Sequence, residues 1–268
     1  MKKEEKIEDL RSSLIKMKKV VVAFSGGVDS TFLLKFALDT LGRDNVMAVT
    51  VSSPIRFENE NSQAIKIAKE LNVKHMIIDL DETMNEDFAK NDPLRCYYCK
   101  YMTFSKLKEI AQREGMVIVD GTNYDDISKD YRPGLKALSE LGILSPLKDT
   151  KLTKEEIREL SKQMNLPTWD KFPQTCLATR FPYGTRITME KIGKISKMES
   201  YLETLNLKVH RARYHDERTL RIEVLPEDFS KLMENKDQIV KMAKEMGFNY
   251  VTLDLEGYRS GSLNEVLK

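Results

Sequence analysis

Short apolar runs alternate with longer amphipathic segments over the first half of the chain. The apolar runs are 20-VVVAF-24, 46-VMAVTV-51, 75-HMIIDL-80 and 117-VIVDG-121. Between them, apolar residues recur near the helical period over residues 30–42, 59–72 and 100–115, and each segment ends in Gly or Asn. Strands that alternate with helices in this way are typical of a parallel sheet with crossover helices. The pattern therefore predicts an α/β fold built on a doubly wound parallel sheet.

The second half of the chain has a different texture. A helix is predicted over 153–165, because Thr153 and Glu156 stand at capping-box spacing and Pro167 follows. Residues 166–187 hold three prolines and no clear period, as in a structured loop or linker. Beyond it the pattern predicts a small α+β domain with one wet face, whose elements are a helix at about 188–206, strands at 207–214 and 219–225, a helix at 227–246 and a strand at 250–256. The expected division is thus 1–165, 166–187 and 188–268.

Composition narrows the class of protein. A chain of 268 residues is long enough to bury a core without disulfides. Its three cysteines, an odd and small number, argue against a secreted disulfide framework, and in an intracellular protein a CxxC pair indicates metal binding or redox chemistry. The N-terminus is charged, without the apolar stretch of a signal peptide, and the longest apolar runs are too short to span a bilayer. We therefore expect a cytoplasmic protein without membrane contact. A net charge of +2 counts against nucleic acid as a partner, but not against a small phosphorylated ligand.

A candidate phosphate-binding loop follows the first predicted strand. In 25-SGGVDST-31 the glycines let the backbone approach an anion, and the helix that follows points its N–H groups at it. Asp29 is a carboxylate suited to Mg²⁺. The loop is neither a Walker A motif nor a GxGxxG turn. The candidate nucleotide-binding residues lie in this loop and at the carboxyl ends of predicted strands; they are Ala23, Ser25, Gly26, Gly27, Asp29, Ser30, Thr31, Ser52 and Gly121.

The segment SGGVDS resembles the pyrophosphate loop of the ATP pyrophosphatases. That resemblance implies that ATP is split between its α and β phosphates and that an oxygen of the substrate is adenylated. The simpler alternative is an ordinary turn between strand and helix that is rich in small residues. Residues 120-DGTNYDD-126 lie after the fourth predicted strand, where Asp125 and Asp126 suit either a ligand site or a helix start.

The three cysteines are Cys96, Cys99 and Cys176. Two thiolates at CxxC spacing suit a shared metal or a reversible disulfide, and zinc would need a further ligand. The three histidines, which are His75, His210 and His215, are distant in sequence. Three cysteines without an evident fourth ligand fit an iron–sulfur cluster with one open iron. A zinc site, a redox CxxC and cysteines without a common site remain the alternatives.

Several longer segments strongly resemble the LarE sulfur transferases of nickel-pincer cofactor synthesis, and the resemblance runs almost end to end. They are 93-PLRCYYCK-100, 120-DGTNYDDISKDYRPGLKALSELGILSPL-147, 152-LTKEEIRELSKQMNLPTWDK-171, 176-CLATRFPYGTRIT-188 and 258-YRSGSLN-264. The resemblance implies that ATP activates the carboxylates of pyridinium-3,5-dicarboxylate mononucleotide and that sulfur delivery then gives thiocarboxylates. It also implies a homo-oligomer, other cofactor-maturation proteins as partners, and a place in lactate racemase maturation.

Within that family, some members sacrifice the sulfur of a single cysteine, and Cys176 stands at that position. Others have an additional CxxC and are thought to hold a 4Fe-4S cluster through all three thiolates. The chain has the second pattern, so the resemblance implies that Cys96, Cys99 and Cys176 ligate such a cluster, whose open iron carries the transferable sulfur. One departure is Thr179, where the family pattern has serine, but the hydroxyl is retained.

Arginines are the candidate residues for the substrate phosphate. Arg211 and Arg213 are two apart on a predicted strand and point to one face, where an ordinary ion pair with Glu223 is the alternative role. The resemblance favours them, with Arg259, as a phosphate clasp. Arg180 either approaches the reacting carboxylate or braces the loop after Cys176. Trp169 is expected to pack in the core.

Two other functions share these sequence features. Some tRNA thiolation enzymes combine the same loop with cysteines and a cluster, but the balanced charge supplies no basic platform for nucleic acid. A nucleotide-binding module with a structural zinc site and no sulfur chemistry is the second alternative. A brown protein that contains iron and sulfide would favour either the LarE-type sulfur transferase or the tRNA thiolation enzyme, whereas a colourless zinc protein would favour the nucleotide-binding module.

Overall fold

The chain folds as two compact units in a computed structural model, which describes residues 2–127, 132–171 and 175–267. The first unit comprises Met1–Glu82 and Leu94–Gln174, and the second comprises Thr83–Pro93 and Thr175–Lys268. Within the described ranges, no helix combines the length and the apolar composition needed to cross a membrane.

The described residues of the first unit form a sheet of four parallel strands. These are β1 (Val20–Ala23), β2 (Val46–Ser52), β3 (Lys74–Asp79) and β4 (Val117–Val119), in the order β3-β2-β1-β4. In β1, Val21 lies opposite Met47 of β2 and Ile118 of β4. Since β2 and β4 flank β1, the direction of chain progression reverses beside β1, which is where such sheets bind ligands.

Helices precede, connect and follow these strands. They are α1 (Lys3–Met17), α2 (Val28–Leu41), α3 (Glu58–Glu70), α5 (Arg95–Arg113), α6 (Pro133–Glu140), α7 (Pro146–Asp149) and α8 (Lys154–Gln163). α4 (Glu86–Ala89) belongs to the second unit. Successive side chains of β1 point to opposite faces of the sheet. Val20 and Val22 pack into a core with α1, α2, α3 and α8. Val21 packs on the other face, into a core with α5 and α6. Helices therefore cover both faces, and the predicted doubly wound α/β fold is confirmed.

The second unit carries a smaller mixed sheet. Its strands are β5 (His210–Tyr214), β6 (Thr219–Val224) and β7 (Tyr250–Leu253); β6 pairs antiparallel with β5 and parallel with β7. Its other helices are α9 (Met189–Thr204), α10 (Phe229–Glu234) and α11 (Lys236–Glu245). Residues 83–93 are bound to this unit through the backbone, since Gly184 N–H donates to the Asn91 carbonyl (2.9 Å) and Ile187 N–H to that of Ala89 (2.8 Å).

Three details differ from the sequence-based expectations. α5 begins at Arg95 rather than near Lys100, and its N-cap residue Leu94 offers no capping side chain that would have signalled the start. The helix predicted over 227–246 is interrupted at Asn235, between α10 and α11. The wet face predicted for the small domain would include Glu223 of β6, and there it is wrong, because Glu223 is buried and pairs with two arginines. The predicted linker at 166–187 stays a prediction. The boundary between the two compact units, between Gln174 and Thr175, falls inside that segment.

Candidate active site

The phosphate loop leaves β1 at Ala23 and enters α2 through two glycines. Gly26 has a φ of +69°, which L side chains rarely adopt, and a Cβ there would lie 3.3 Å from Cα of Ala64. Gly27 is the N-cap of α2 and has no side chain to cap the helix. The N–H groups of the first turn are therefore oriented for an anion, and the helix dipole favours negative charge there.

Hydroxyl groups hold the loop in this shape. Oγ of Ser25 lies 3.1 Å from Oγ of Ser30, and it accepts from the Gly27 N–H (3.4 Å). The Ser30 hydroxyl in turn donates to the Gly27 carbonyl (3.3 Å). Thr31 is fully buried, and its Oγ1 has no hydrogen-bond partner among the described residues. Small hydroxyl side chains thus fix the loop from inside.

The other predicted nucleotide-binding residues lie at the same edge of the sheet. Ser52 ends β2 and Gly121 follows β4, and both strands are direct neighbours of β1. A Cβ on Gly121 would lie 3.0 Å from the backbone nitrogen of Ser30, so the turn after β4 rests directly on the start of α2. The fold of the first unit therefore brings the loop, Ser52 and Gly121 together.

Asp29 in the first turn of α2 has two side-chain partners. Its Oδ2 lies 2.5 Å from Nζ of Lys154, and its Oδ1 accepts from Nδ2 of Asn123 (3.3 Å). Asn123 caps the turn at Tyr124–Asp126, so Asp125 and Asp126 do form a helical start, of the 3-10 type. Lys154 was not predicted from the sequence, where its local signal was limited to the start of a capped helix after β4.

A second lysine, close to the C-terminal end of the first unit in sequence, also contacts the loop. Nζ of Lys171 donates to the Gly26 carbonyl (3.4 Å) and to Oε1 of Gln63 (2.6 Å). Nearby, the expectation that Trp169 packs in the core is wrong. The ring is 37% exposed, and the Lys162 ammonium lies 4.7 Å from its centroid.

The CxxC pair lies in the first turns of α5. Cys96 and Cys99 are three residues apart on a helix, so both side chains lie on one face. The Cys99 thiol donates to Oε1 of Glu82 (3.8 Å), and the Ser53 hydroxyl donates to Oε2 of the same carboxyl group. Burial raises the pKa of the Glu82 carboxyl, an effect that the hydrogen bond from Ser53 partly offsets. Glu82 is distant in sequence from the pair, and no local pattern pointed to it.

Cys176 belongs to the second unit and is the N-cap residue of a 3-10 turn, Leu177–Arg180. The N–H and Oγ1 of Thr179 donate to the Cys176 carbonyl (3.0 and 2.8 Å). Arg180 is fully buried, with Nε 2.5 Å from Oε1 of Glu199 and Nη1 donating to Thr179 Oγ1 (2.8 Å). The turn that presents Cys176 is therefore fixed by a buried ion pair.

Arg213 and Glu223 form a second buried pair in this unit. Nη2 of Arg213 donates to Oε2 of Glu223 (2.7 Å), and Nη1 donates to the Thr179 carbonyl (2.7 Å). Arg221 binds the other oxygen of Glu223 (2.9 Å). The ion pair that the sequence offered as the ordinary role of Arg213 is thus present.

The other two candidate arginines are differently placed. The Arg211 guanidinium lies 5.0 Å from the centroid of the Tyr258 ring, and burial lowers the pKa of this group. Arg259 is exposed and pairs with Glu256 and Glu265 (2.7 Å each). Nη1 of Arg211 also donates to the His210 carbonyl (2.6 Å), so Arg211 contacts a carbonyl and an aromatic ring where Arg259 contacts two carboxylates.

Metal ligands do not cluster inside either unit. Over the described residues of each unit, no group of three or more His, Cys, Asp or Glu side chains is placed to hold a metal ion. Cys96 and Cys99 belong to one unit and Cys176 to the other. The three-cysteine site stays a prediction.

Comparison with known proteins decides the family. The model of the NAD synthase family, which belongs to the PP-loop ATP pyrophosphatases, matches residues 4–105. The chain is 38% identical to the pyridinium-3,5-bisthiocarboxylic acid mononucleotide synthase of Lactiplantibacillus plantarum, over 96% of this chain and 93% of that protein. The chain belongs to the LarE family. This LarE-family chain is also 39% identical to an uncharacterised protein of Synechocystis, over 98% of both chains, and 36% identical to one of Methanocaldococcus jannaschii, over 97% and 98%.

Family membership confirms the resemblance found in the sequence and the use of ATP by a PP-loop domain. It also agrees with the geometry of the first unit, where the loop leads into an uncapped helix start. The roles assigned to individual cysteines and arginines stay predictions.

Proposed function

We propose that this LarE-family protein is an ATP-dependent sulfur transferase of nickel-pincer cofactor biosynthesis. Its substrate is pyridinium-3,5-dicarboxylate mononucleotide, whose carboxylates it adenylates and converts to thiocarboxylates. The observation that carries the proposal is the uncapped start of α2 behind the Gly26–Gly27 turn, together with the 38% identical synthase from Lactiplantibacillus plantarum. A helix start of this kind binds an anion such as pyrophosphate.

The loop residues perform the first step. The N–H groups of α2 hold the β and γ phosphates while a carboxylate oxygen of the substrate attacks the α phosphorus; a C–O–P bond forms and pyrophosphate leaves. Asp29 is a hard oxygen donor beside these N–H groups, so it fits Mg²⁺. The metal would supply charge neutralisation of the phosphates.

In the second step, sulfur from a hydrosulfide attacks the activated carbonyl carbon, AMP leaves with the former carboxylate oxygen, and one proton is released. Three thiolates suit a 4Fe-4S cluster, which leaves one iron open to an exogenous hydrosulfide. Cys96, Cys99 and Cys176 would hold it. Arg211 and Arg259 would bind the phosphate of the mononucleotide.

The source of sulfur is tested with single alanine variants at the three cysteines. If all three thiolates hold the sulfur-carrying cluster, Cys96→Ala and Cys99→Ala abolish transfer as completely as Cys176→Ala. Activity then requires sulfide and anaerobic handling, and iron and sulfide fall together in each variant. Intact-mass measurement should find Cys176 unchanged after turnover. Dehydroalanine at position 176, formed in step with product, would instead show a sacrificial transferase that uses Cys176 alone.

The overall activity is tested by product analysis. ATP should be converted to AMP and pyrophosphate in a magnesium-dependent reaction that needs the dicarboxylate mononucleotide, and Asp29→Ala should lose it while retaining the fold. Release of ADP and phosphate would contradict the proposal. Tight binding of tRNA with thiolation of a base would support the alternative of a tRNA thiolation enzyme.

The assembly and the partners are part of the same proposal. A homo-oligomer is expected, and light scattering coupled to size-exclusion chromatography measures it directly. Other cofactor-maturation proteins would supply the dicarboxylate and receive the bisthiocarboxylate. The finished nickel-pincer cofactor would be used to mature a nickel enzyme such as lactate racemase.

A further inference from the structure

The ion pair between Asp29 and Lys154 occupies the carboxylate that the proposed function assigns to Mg²⁺. The two side chains are partly exposed, 22% for Asp29 and 30% for Lys154, and their charged atoms lie 2.5 Å apart. Exposed pairs of this kind contribute only about 0–1 kcal/mol to stability. Stability therefore does not account for a lysine whose ammonium contacts Asp29, beside the phosphate loop.

Lys154 is held in place by its backbone, which leaves its side chain free to change partners. It is the first residue of α8, which begins with a capping box between Thr153 and Glu156. Its own N–H donates to Oδ2 of Asp125 (2.7 Å), in the turn that Asn123 caps. Loss of the contact with Asp29 would therefore leave the position of the main chain unchanged.

We propose that Lys154 is a phosphate-binding residue of the ATP site that exchanges partners when the nucleotide binds with its metal. In the absence of a divalent cation, the ammonium neutralises Asp29, whose charge would otherwise repel the polyphosphate. With the Asp29 carboxylate engaged by Mg²⁺, the Lys154 ammonium would be available to a phosphate oxygen of the nucleotide. Lysine suits this role because its flexible stem carries a compact charge with three donors. The inference rests on the proposed function, whose ATP site it completes.

The exchange makes an unusual prediction for nucleotide binding without metal. The probe is α,β-methylene-ATP, which cannot be cleaved between the α and β phosphates, titrated calorimetrically in EDTA and then in Mg²⁺. In EDTA, Asp29→Asn releases the positive charge of Lys154 from its ion pair, so affinity should rise roughly ten-fold over wild type. The double variant Asp29→Asn/Lys154→Gln should lose that gain. In Mg²⁺, Lys154→Gln should weaken binding of the analogue roughly ten-fold. Lys154→Arg, which keeps the positive charge, should lose less affinity than Lys154→Gln.

The matched control is Lys35→Gln. Lys35 lies on the same helix as Asp29, has the same 30% side-chain exposure and pairs with Asp39, four residues on. Its loss should leave both titrations unchanged. Urea unfolding of every variant establishes that folding is retained.

Two outcomes would overturn the inference: equal affinity of Asp29→Asn and the double variant in EDTA, or no effect of Lys154→Gln in Mg²⁺. Failure of the wild type to bind the analogue in Mg²⁺ would instead contradict the proposed function, so the two failures are distinguishable.

Discussion

The phosphate loop of the first unit and the arginine network of the second both handle charge, but by different means. The loop uses backbone N–H groups, small hydroxyls and a single part-exposed ion pair, Asp29 with Lys154. The network buries its charges in pairs: both partners of Arg180–Glu199 are 1% exposed, and Glu223 is 2% exposed beside Arg213.

The difference separates groups that are available to a ligand from groups committed to the fold. Uncapped N–H groups at a helix start have no other partner and favour an anion. A buried guanidinium that already pairs with a buried carboxylate stabilises its surroundings only as long as both remain. We therefore expect substitutions in the loop to affect binding, and substitutions of Glu199 or Glu223 to affect stability.

The largest effect is expected from Glu199→Ala. It leaves the Arg180 guanidinium buried without its carboxylate, which costs about 3–5 kcal/mol in the free energy of unfolding. Urea denaturation measures it. The control is Glu86→Ala, which breaks the exposed pair with Arg186 (2.6 Å) and should cost much less, because solvent screens this pair. Equal costs for the two variants would show that burial does not distinguish these pairs.

Arg211→Ala is expected to weaken the mononucleotide by about 1.5–3 kcal/mol, or roughly ten- to a hundred-fold, because a charge-assisted contact is lost. Arg259→Ala should act in the same direction. ATP affinity should be unaffected in both variants. The control is Arg218→Ala, at an exposed position in the turn between β5 and β6. A parallel fall in ATP affinity would assign Arg211 to the nucleotide site or to the fold.

Gly121→Ala tests the loop from its other side. A methyl group 3.0 Å from the Ser30 nitrogen forces the start of α2 to shift, at a cost of about 1–3 kcal/mol that should appear in ATP affinity. The comparison variant is Gly193→Ala within α9, where a Cβ meets nothing within 4 Å. That change should stabilise the protein by about 0.5–1 kcal/mol and leave ATP binding alone. Unchanged ATP affinity in Gly121→Ala would mean that this contact does not shape the site.

The smallest effect is expected from pH. Burial lowers the pKa of His210, which packs beside Glu199, so at mildly acidic pH the unfolded chain binds a proton that the folded chain does not. Stability should therefore be complete above the unfolded pKa of about 6.5 and decline as pH falls below it. Urea midpoints at pH 7.5 and 5.5 measure the decline, which should be smaller in His210→Gln. An equal decline in that variant would assign it to other groups.

The sequence predicted the local parts of this molecule well. β1, the loop and the start of α2 follow one another in the chain, so periodicity and glycine placement were sufficient to predict the fold and the phosphate loop. The buried pair Arg180–Glu199 joins residues on a 3-10 turn and on α9, and no local pattern encodes it. Likewise Lys154 reaches Asp29 only because the turn after β4 sets α8 beside the loop. Contacts that depend on tertiary packing escaped prediction.

Residues 83–93 belong to the second unit although they lie between the two segments of the first, and this affects how the chain folds during translation. Their carbonyls accept hydrogen bonds from Gly184 and Ile187, so the second unit is incomplete until both segments have been made. At about 5–20 residues per second, the earlier segment waits on the order of ten seconds for its partners. During that interval the second segment of the first unit, residues 94–174, is synthesised. A pause in translation during that interval would therefore leave residues 83–93 without the backbone hydrogen bonds that Gly184 and Ile187 donate in the folded protein.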